Sequence, residues 1–219
     1  MFRGVQAVLF DLDGTLIDSA PDLAGATNAL RAERGLPPLP LAHLRPWVGS
    51  GARGMLAAGL DVAVSHPEFD SLRDRFLALY ASRLLQETRP FDGVPTMLAA
   101  LGARGMPWGI VTNKAERFTL PIHRGMPLLQ GARAVVGGDT TPHAKPHPAP
   151  LWEACVRMGV PAEACVYVGD DHRDIEAARA AGMGSVAARW GYLGVGSSVA
   201  EWGADHVIDQ PDTLLDLLA

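Results

Sequence analysis

The 219-residue chain carries 19 Lys+Arg against 24 Asp+Glu, a net charge of −5, and is 48% apolar. That length allows one large domain or one domain carrying an insert, with a buried core of its own. No basic face points to nucleic acid, no apolar stretch approaches the ~20 residues of a membrane span, and Cys155 and Cys165 form no CxxC pair and read as buried thiols of a reducing cytoplasm.

Val5–Phe10 is apolar apart from Gln6, which suits a strand buried on both faces of a parallel sheet. Asp11 and Asp13 interrupt the run at once, so it is no signal-peptide core. From Ser19 to Thr88 no strand is predicted. Helices are expected there at Asp22–Arg34, closed by Gly35 and the Pro37-Pro38-Leu39-Pro40 corner, then at Leu41–Leu44, Arg53–Ala58 and Glu68–Gln86. In the last of these Phe69, Leu72, Phe76, Leu79, Tyr80 and Leu84 recur at helical spacing. Arg89-Pro90-Phe91-Asp92-Gly93 has the Pro and Gly of a return to the first domain.

Beyond it, apolar runs at Trp108–Thr112, Ala134–Val136, Val166–Val168, Ser185–Ala188 and His206–Ile208 alternate with helical stretches. The helices are predicted at Val94–Arg104, Ala115–His123, Ala149–Met158, Ile175–Ala181 and Thr213–Leu218. Such alternation predicts an α/β fold with a doubly wound parallel sheet. Residues 1–18 and 89–219 would form this core, and residues 19–88 an all-helical insert.

The polar residues with chemistry follow the strands: Asp11-Leu12-Asp13-Gly14-Thr15, Thr112-Asn113 and Gly169-Asp170-Asp171. Ligands of open α/β sheets bind outside the carboxyl ends of the strands, so these clusters converge on one pocket. Asp11, Asp13 and Asp170, with Asp171 or Asp174 nearby, cannot all stay ionised unless a cation joins them. Oxygen-only donors favour a hard cation, and few protein carboxylates beside a phosphate favour Mg²⁺ over Ca²⁺. No His or Cys accompanies them to suit a softer metal, and the seven histidines have no ligand spacing. Gly14 allows a sharp turn whose amides would face an anion. Only two of the basic residues are lysines, Lys114 and Lys145. Gly49–Gly54 fits G-x-G-x-x-G but follows Pro46-Trp47 inside the helical insert, so it reads as a helix connection facing the site, not a dinucleotide loop.

Four segments in order resemble the motifs of the haloacid dehalogenase superfamily: Asp11–Ser19, Ile110–Lys114, Lys145–Pro150 and Val168–Asp174. The resemblance implies a Rossmann-like core with an inserted helical cap of the C1 type, and phosphomonoester hydrolysis through an aspartyl phosphate. It makes Asp11 the nucleophile and Asp13 the acid and base. Thr112, Asn113, Gly14 and Lys145 would hold the phosphate. Asp11, the Asp13 carbonyl and Asp170 would bind Mg²⁺, with Asp171 and Asp174 orienting Lys145 or metal-bound waters. Asp13 argues against a dehalogenase, and the lysine-free insert against a Schiff-base phosphonatase. A phosphomutase of the β-phosphoglucomutase type and a non-catalytic phosphate sensor are the remaining rivals.

Val48–Ala52 and Phe91–Val94 are similar to the phosphoglycolate phosphatase group. Gly35-Leu36-Pro37, Gly51-Ala52-Arg53, Trp108 to Phe118, Trp190-Gly191-Tyr192 and Trp202–Asp205 resemble the N-acetylmuramic acid 6-phosphate phosphatases more closely. Arg53 and Arg45 are the insert cations expected to meet a substrate carboxylate. The partner implied is a small phosphorylated metabolite, met by a cytoplasmic monomer or weak homodimer, with no nucleic acid or membrane.

Overall fold

The computed structural model describes residues 1–194, 196 and 198–218. In chain order its elements begin with β1 (Ala7–Phe10) and β2 (Ile17–Asp18). Four helices follow: α1 (Ala20–Glu33), α2 (Leu41–Leu44), α3 (Gly51–Leu60) and α4 (Phe69–Ala81). Then come β3 (Arg89–Pro90), α5 (Val94–Ala103), β4 (Trp108–Val111), α6 (Glu116–Gly125), β5 (Val135–Val136) and α7 (Ala149–Met158). The chain ends with β6 (Cys165–Gly169), α8 (His172–Ala181), β7 (Gly184–Ala188), β8 (His206–Ile208) and α9 (Leu214–Leu217).

A parallel sheet runs in the order β5-β4-β1-β6-β7-β8, bearing out the α/β reading. The strand β1 is apolar throughout because its faces serve different layers. Val8 and Phe10 pack with Val94, Met97 and Leu101 of α5, whereas Ala7 and Leu9 pack with Leu151 of α7 and Ala177 of α8. Phe10 is level with Ile110 of β4 on one side and Val168 of β6 on the other. The carboxyl ends of β1, β4 and β6 therefore open side by side where the strand order reverses, the place such sheets bind ligands.

The helices between β2 and β3 make a hydrophobic cluster of their own. Leu23, Leu30, Met55, Leu56, Phe76 and Tyr80 are buried in it, and Phe118 of α6 and Tyr192 join from the sheet side. Burying each large side chain contributes about 1.5–3 kcal/mol, so the cluster supplies its own stabilisation. Two features depart from the sequence expectation. First, the helix expected to reach Gln86 stops at Ala81. Residues 82–86 fold in short turns, with Arg83 N on Tyr80 O, Gln86 N on Arg83 O and Leu85 at φ +66°. The turn lets Glu87 and Thr88 donate their amides to the buried Asp22 carboxylate of α1 at 3.1 and 2.9 Å. Second, both connections to the helices form a short antiparallel ribbon, with Ile17 opposite Pro90 and Asp18 opposite Arg89. Two residues a side are too few for any periodicity to mark. Elsewhere the expected boundaries move by a residue or a few.

Cys155 and Cys165 are buried free thiols, their sulfurs 3.7 Å apart. Among the described residues no helix is long and apolar enough to cross a membrane.

Candidate active site

Asp11 leaves β1 with its amide on Val168 O at 2.9 Å, which seats it between β1 and β6. Its Oδ1 accepts from Leu12 N at 2.7 Å and stands 3.1 Å from Lys145 Nζ. Beyond β6, Asp170 is only 3% exposed, accepting from Thr15 Oγ1 at 2.9 Å and from Tyr192 N at 2.8 Å. Gly14 sits beside it at φ +88°, and a Cβ there would fall 2.1 Å from Asp170 Oδ2. Only glycine allows both that conformation and that approach. Its amide is bound to Ile17 O, so Gly14 supplies room for Asp170, and not the anion-facing N–H expected of it.

Lys145 is nearly enclosed, with Nζ 2.6 Å from Asp174 Oδ1, 2.6 Å from the Tyr167 hydroxyl and 3.1 Å from Val111 O. Asn113 fixes the Lys145 backbone from both sides, its amide donating to Lys145 O and its oxygen accepting from Lys145 N, each at 2.9 Å. Asn113 thus positions the lysine, and its side chain is committed to that task. Burial opposes the charge on Lys145, but Asp11 and Asp174 outweigh it and hold its pKa above the ordinary value. Burial, then the Asp11 and Asp174 charges, push the Asp170 carboxyl well above the usual range. Burial also raises Asp174, against the pull of Lys145.

Asp171 caps α8, accepting from Arg173 N at 2.9 Å while Asp174 Oδ2 accepts from Asp171 N at 3.0 Å, a capping box. The Asp171 carboxylate also takes both arms of the Arg173 guanidinium at 2.7 and 2.8 Å, so it meets Arg173 rather than Lys145. Arg173 reaches on to Gly49 O at 2.6 Å, tying α8 to the glycine turn before α3.

Carboxylate oxygens of Asp11, Asp170 and Asp174 lie within 4.8 Å of one another. Asp13 stands nearby, its Oδ2 2.8 Å from Lys114 Nζ and its Oδ1 accepting from the Ser19 hydroxyl. Lys114, which the sequence leaves open between a surface charge and a contributor to the phosphate field, belongs to this site. It is buried, its ammonium lies 4.8 Å from the centre of the Tyr80 ring of α4, and Asp13 and Tyr80 raise its pKa despite the cost of burial. The scarcity of lysine was the signal that could have found it. Thr112, buried beside them, accepts from Lys114 N at 3.2 Å, leaving its hydroxyl proton for an acceptor.

These groups share a cavity of about 300 Å³ that opens between the strand ends and the helices. Gly49, Ser50, Gly51 and Ala52 line it, as expected of the glycine turn. Arg53 does not: it is exposed, because the first turn of α3 presents Gly51 and Ala52 to the cavity and carries the next side chain away. Arg45 is committed to Asp18 and lies 5.6 Å from the centre of the Tyr192 ring. The lining cations are Lys114, Arg117, Lys145 and Arg173, and no sequence argument placed Arg117 or Arg173 there. Clustered carboxylates and buried cations at one end suit a divalent cation together with a dianion, and Asp11 has the exposure to act as a nucleophile toward that dianion.

Comparison with known proteins agrees with this geometry. The profile of the family described as "Haloacid dehalogenase-like hydrolase" matches residues 8–188. A phosphoglycolate phosphatase of Xanthomonas campestris pv. campestris is 50% identical over 97% of this chain and 96% of its own. An N-acetylmuramic acid 6-phosphate phosphatase of Pseudomonas aeruginosa is 42% identical over 98% of this chain and 95% of its own. A crystal structure described as a predicted phosphoglycolate phosphatase from Haemophilus somnus superposes with a TM-score of 0.85 at 29% identity, covering 98% of each chain.

Proposed function

The chain belongs to the haloacid dehalogenase-like hydrolases and is a phosphatase, and on that premise we propose that it hydrolyses a small phosphomonoester with Asp11 as nucleophile and Mg²⁺ as cofactor. The observation that carries this is the meeting of Asp11, Lys145, Asp170 and Asp174 at the carboxyl ends of β1, β4 and β6. In the proposed reaction Asp11 attacks phosphorus, forming the aspartyl phosphate as the ester bond breaks. Asp13 gives its proton to the departing alkoxide, then takes one from the water that releases inorganic phosphate. Lys145 answers the charge on the phosphoryl oxygens, and Thr112 donates its hydroxyl to one of them. Lys114 and Ser19 fix the Asp13 carboxylate between them, so both proton transfers start from a set position.

The oxygen-only donors fit a hard cation. Asp170 in particular has its charge disfavoured by burial and by its neighbours until a cation arrives. Asp11 and Asp170, with the Asp13 carbonyl, would hold Mg²⁺. Asp174 Oδ1 is bound to the Lys145 ammonium and its Oδ2 to the Asp171 amide at the start of α8, which suits Asp174 to orienting Lys145. Bound there, Mg²⁺ would neutralise phosphoryl charge and keep phosphate and nucleophile together. Residues 19–88 act as a cap on the core of residues 1–18 and 89–219; the separate cluster of α1–α4, the β2–β3 ribbon and the cavity between them support this.

The 50% identical relative supports 2-phosphoglycolate as substrate. A second reading, N-acetylmuramic acid 6-phosphate, is favoured by the cavity, whose volume and walls of Phe76, Tyr80 and Phe118 exceed what a two-carbon acid needs. Phosphate release from both compounds, with Mg²⁺ and with a chelator, tests the proposal. Cation-dependent release from either is expected; no release from these or a broad phosphomonoester panel would refute it.

A further inference from the structure

The charges around the cavity do not balance evenly. Lys114 is held by Asp13, Lys145 by Asp11 and Asp174, and Arg173 by Asp171. Arg117, on the first turn of α6, also lines the cavity, and among the described residues it has no acidic partner. Arg117 is itself exposed, at the edge of the cavity. Its guanidinium lies 4.8 Å from the centre of the Phe118 ring, and Phe118 is buried with the helices α1–α4. An arginine resting on an aromatic ring keeps its planar fork in a limited set of orientations. The wall contributed by α1 and α4, including Leu23, Phe76, Leu77 and Tyr80, carries no acidic side chain. Lys145 and the carboxylate cluster already serve the phosphoryl group, so the charge of Arg117 is available to another part of the substrate.

We infer that Arg117 is the specificity residue of this site, and that it reads a carboxylate on the alcohol portion of the phosphomonoester. The inference rests on the phosphatase reading and narrows its substrate class to phosphorylated hydroxy acids, including sugar acids. A guanidinium fork matches a carboxylate with two parallel hydrogen bonds, whereas a hydroxyl or amide at the same place would use one of them. The assignment to Arg117 replaces the expectation placed on Arg53, which faces away from the cavity.

Two substrate pairs isolate the carboxylate. N-acetylmuramic acid 6-phosphate differs from N-acetylglucosamine 6-phosphate by the lactyl ether that bears it, and 2-phosphoglycolate differs from ethyl phosphate by carboxylate against methyl. The ratio of kcat/KM within a pair is measured for the wild type, Arg117→Met and Arg117→Lys, with Asp11→Asn as the blank. Because both members are assayed on one preparation, the ratio is independent of how much of a variant folds. In whichever pair is turned over, the wild type is expected to prefer the carboxylated member by at least about tenfold, equivalent to about 1.4 kcal/mol. Arg117→Met should bring that ratio close to one, and Arg117→Lys should retain part of it. A wild type without the preference, or a preference unchanged in Arg117→Met, overturns the inference while leaving the phosphatase reading intact. Turnover of neither pair above the Asp11→Asn blank, with none of a broad phosphomonoester panel turned over, removes both.

Discussion

Lys114 shows how a single residue acquires meaning only from what the fold brings to it. In the sequence it is a lysine after a strand; in the structure it is buried between the Asp13 carboxylate and the Tyr80 ring, so it joins the strand end to the helices. A positioned general acid and base is worth about 10²–10⁴ in rate. Lys114→Met should therefore lower kcat by about 100-fold through loss of the Asp13 orientation, and steady-state kinetics should show KM changing much less. A kcat within threefold of wild type would mean that Ser19 alone positions Asp13. Gly14 is the converse case. Its turn was legible in the sequence, but its use was not, since the backbone approaches Asp170 from the far end of the chain. The aspartates Asp11, Asp13 and Asp170 were legible because they follow apolar strands, and strand ends are where open sheets place ligands.

At the scale of elements, the apolar runs and amphipathic stripes marked every strand of the main sheet and each helix of any length. The two-residue strands β2 and β3 and the end of α4 were not marked, because tertiary contacts decide them. Asp22 is the clearest such contact: fully buried on α1, it accepts from Glu87 N, Thr88 N and Thr88 Oγ1, and lies 3.6 Å from Arg83 Nε. It holds the chain leaving the helices against the helix that enters them. Asp22→Ala leaves the buried Thr88 amide and hydroxyl and the part-buried Glu87 amide without their acceptor, a loss of about 2–4 kcal/mol. Urea unfolding should show that drop; a loss below about 1 kcal/mol would mean that water replaces the carboxylate. Arg53 illustrates the same limit at the site. Sequence places it beside the glycine turn, but which face of α3 meets the cavity depends on how the helices pack.

For the whole molecule, the order β5-β4-β1-β6-β7-β8 and the separate cluster of α1–α4 together account for the cavity, since strand ends form its floor and the helices its cover. Converging carboxylates make the site costly to assemble without a cation, so Mg²⁺ should stabilise the fold. At a concentration about 100-fold above Kd, binding adds about 2.7 kcal/mol. At about 2–4 °C per kcal/mol for a chain of this size, the thermal midpoint should rise by about 5–10 °C. Asp170→Asn should abolish the rise, and a midpoint indifferent to Mg²⁺ in the wild type would place the cation elsewhere. The central claim is that Asp11 performs covalent chemistry on phosphorus, and it is tested most directly by the rate of phosphate release in Asp11→Asn. With the same shape but no nucleophilic oxygen, the variant should lose at least about 10³-fold in kcat, or about 4 kcal/mol of barrier, while keeping its thermal midpoint within a few degrees. A variant that retains activity within tenfold of wild type would contradict the account.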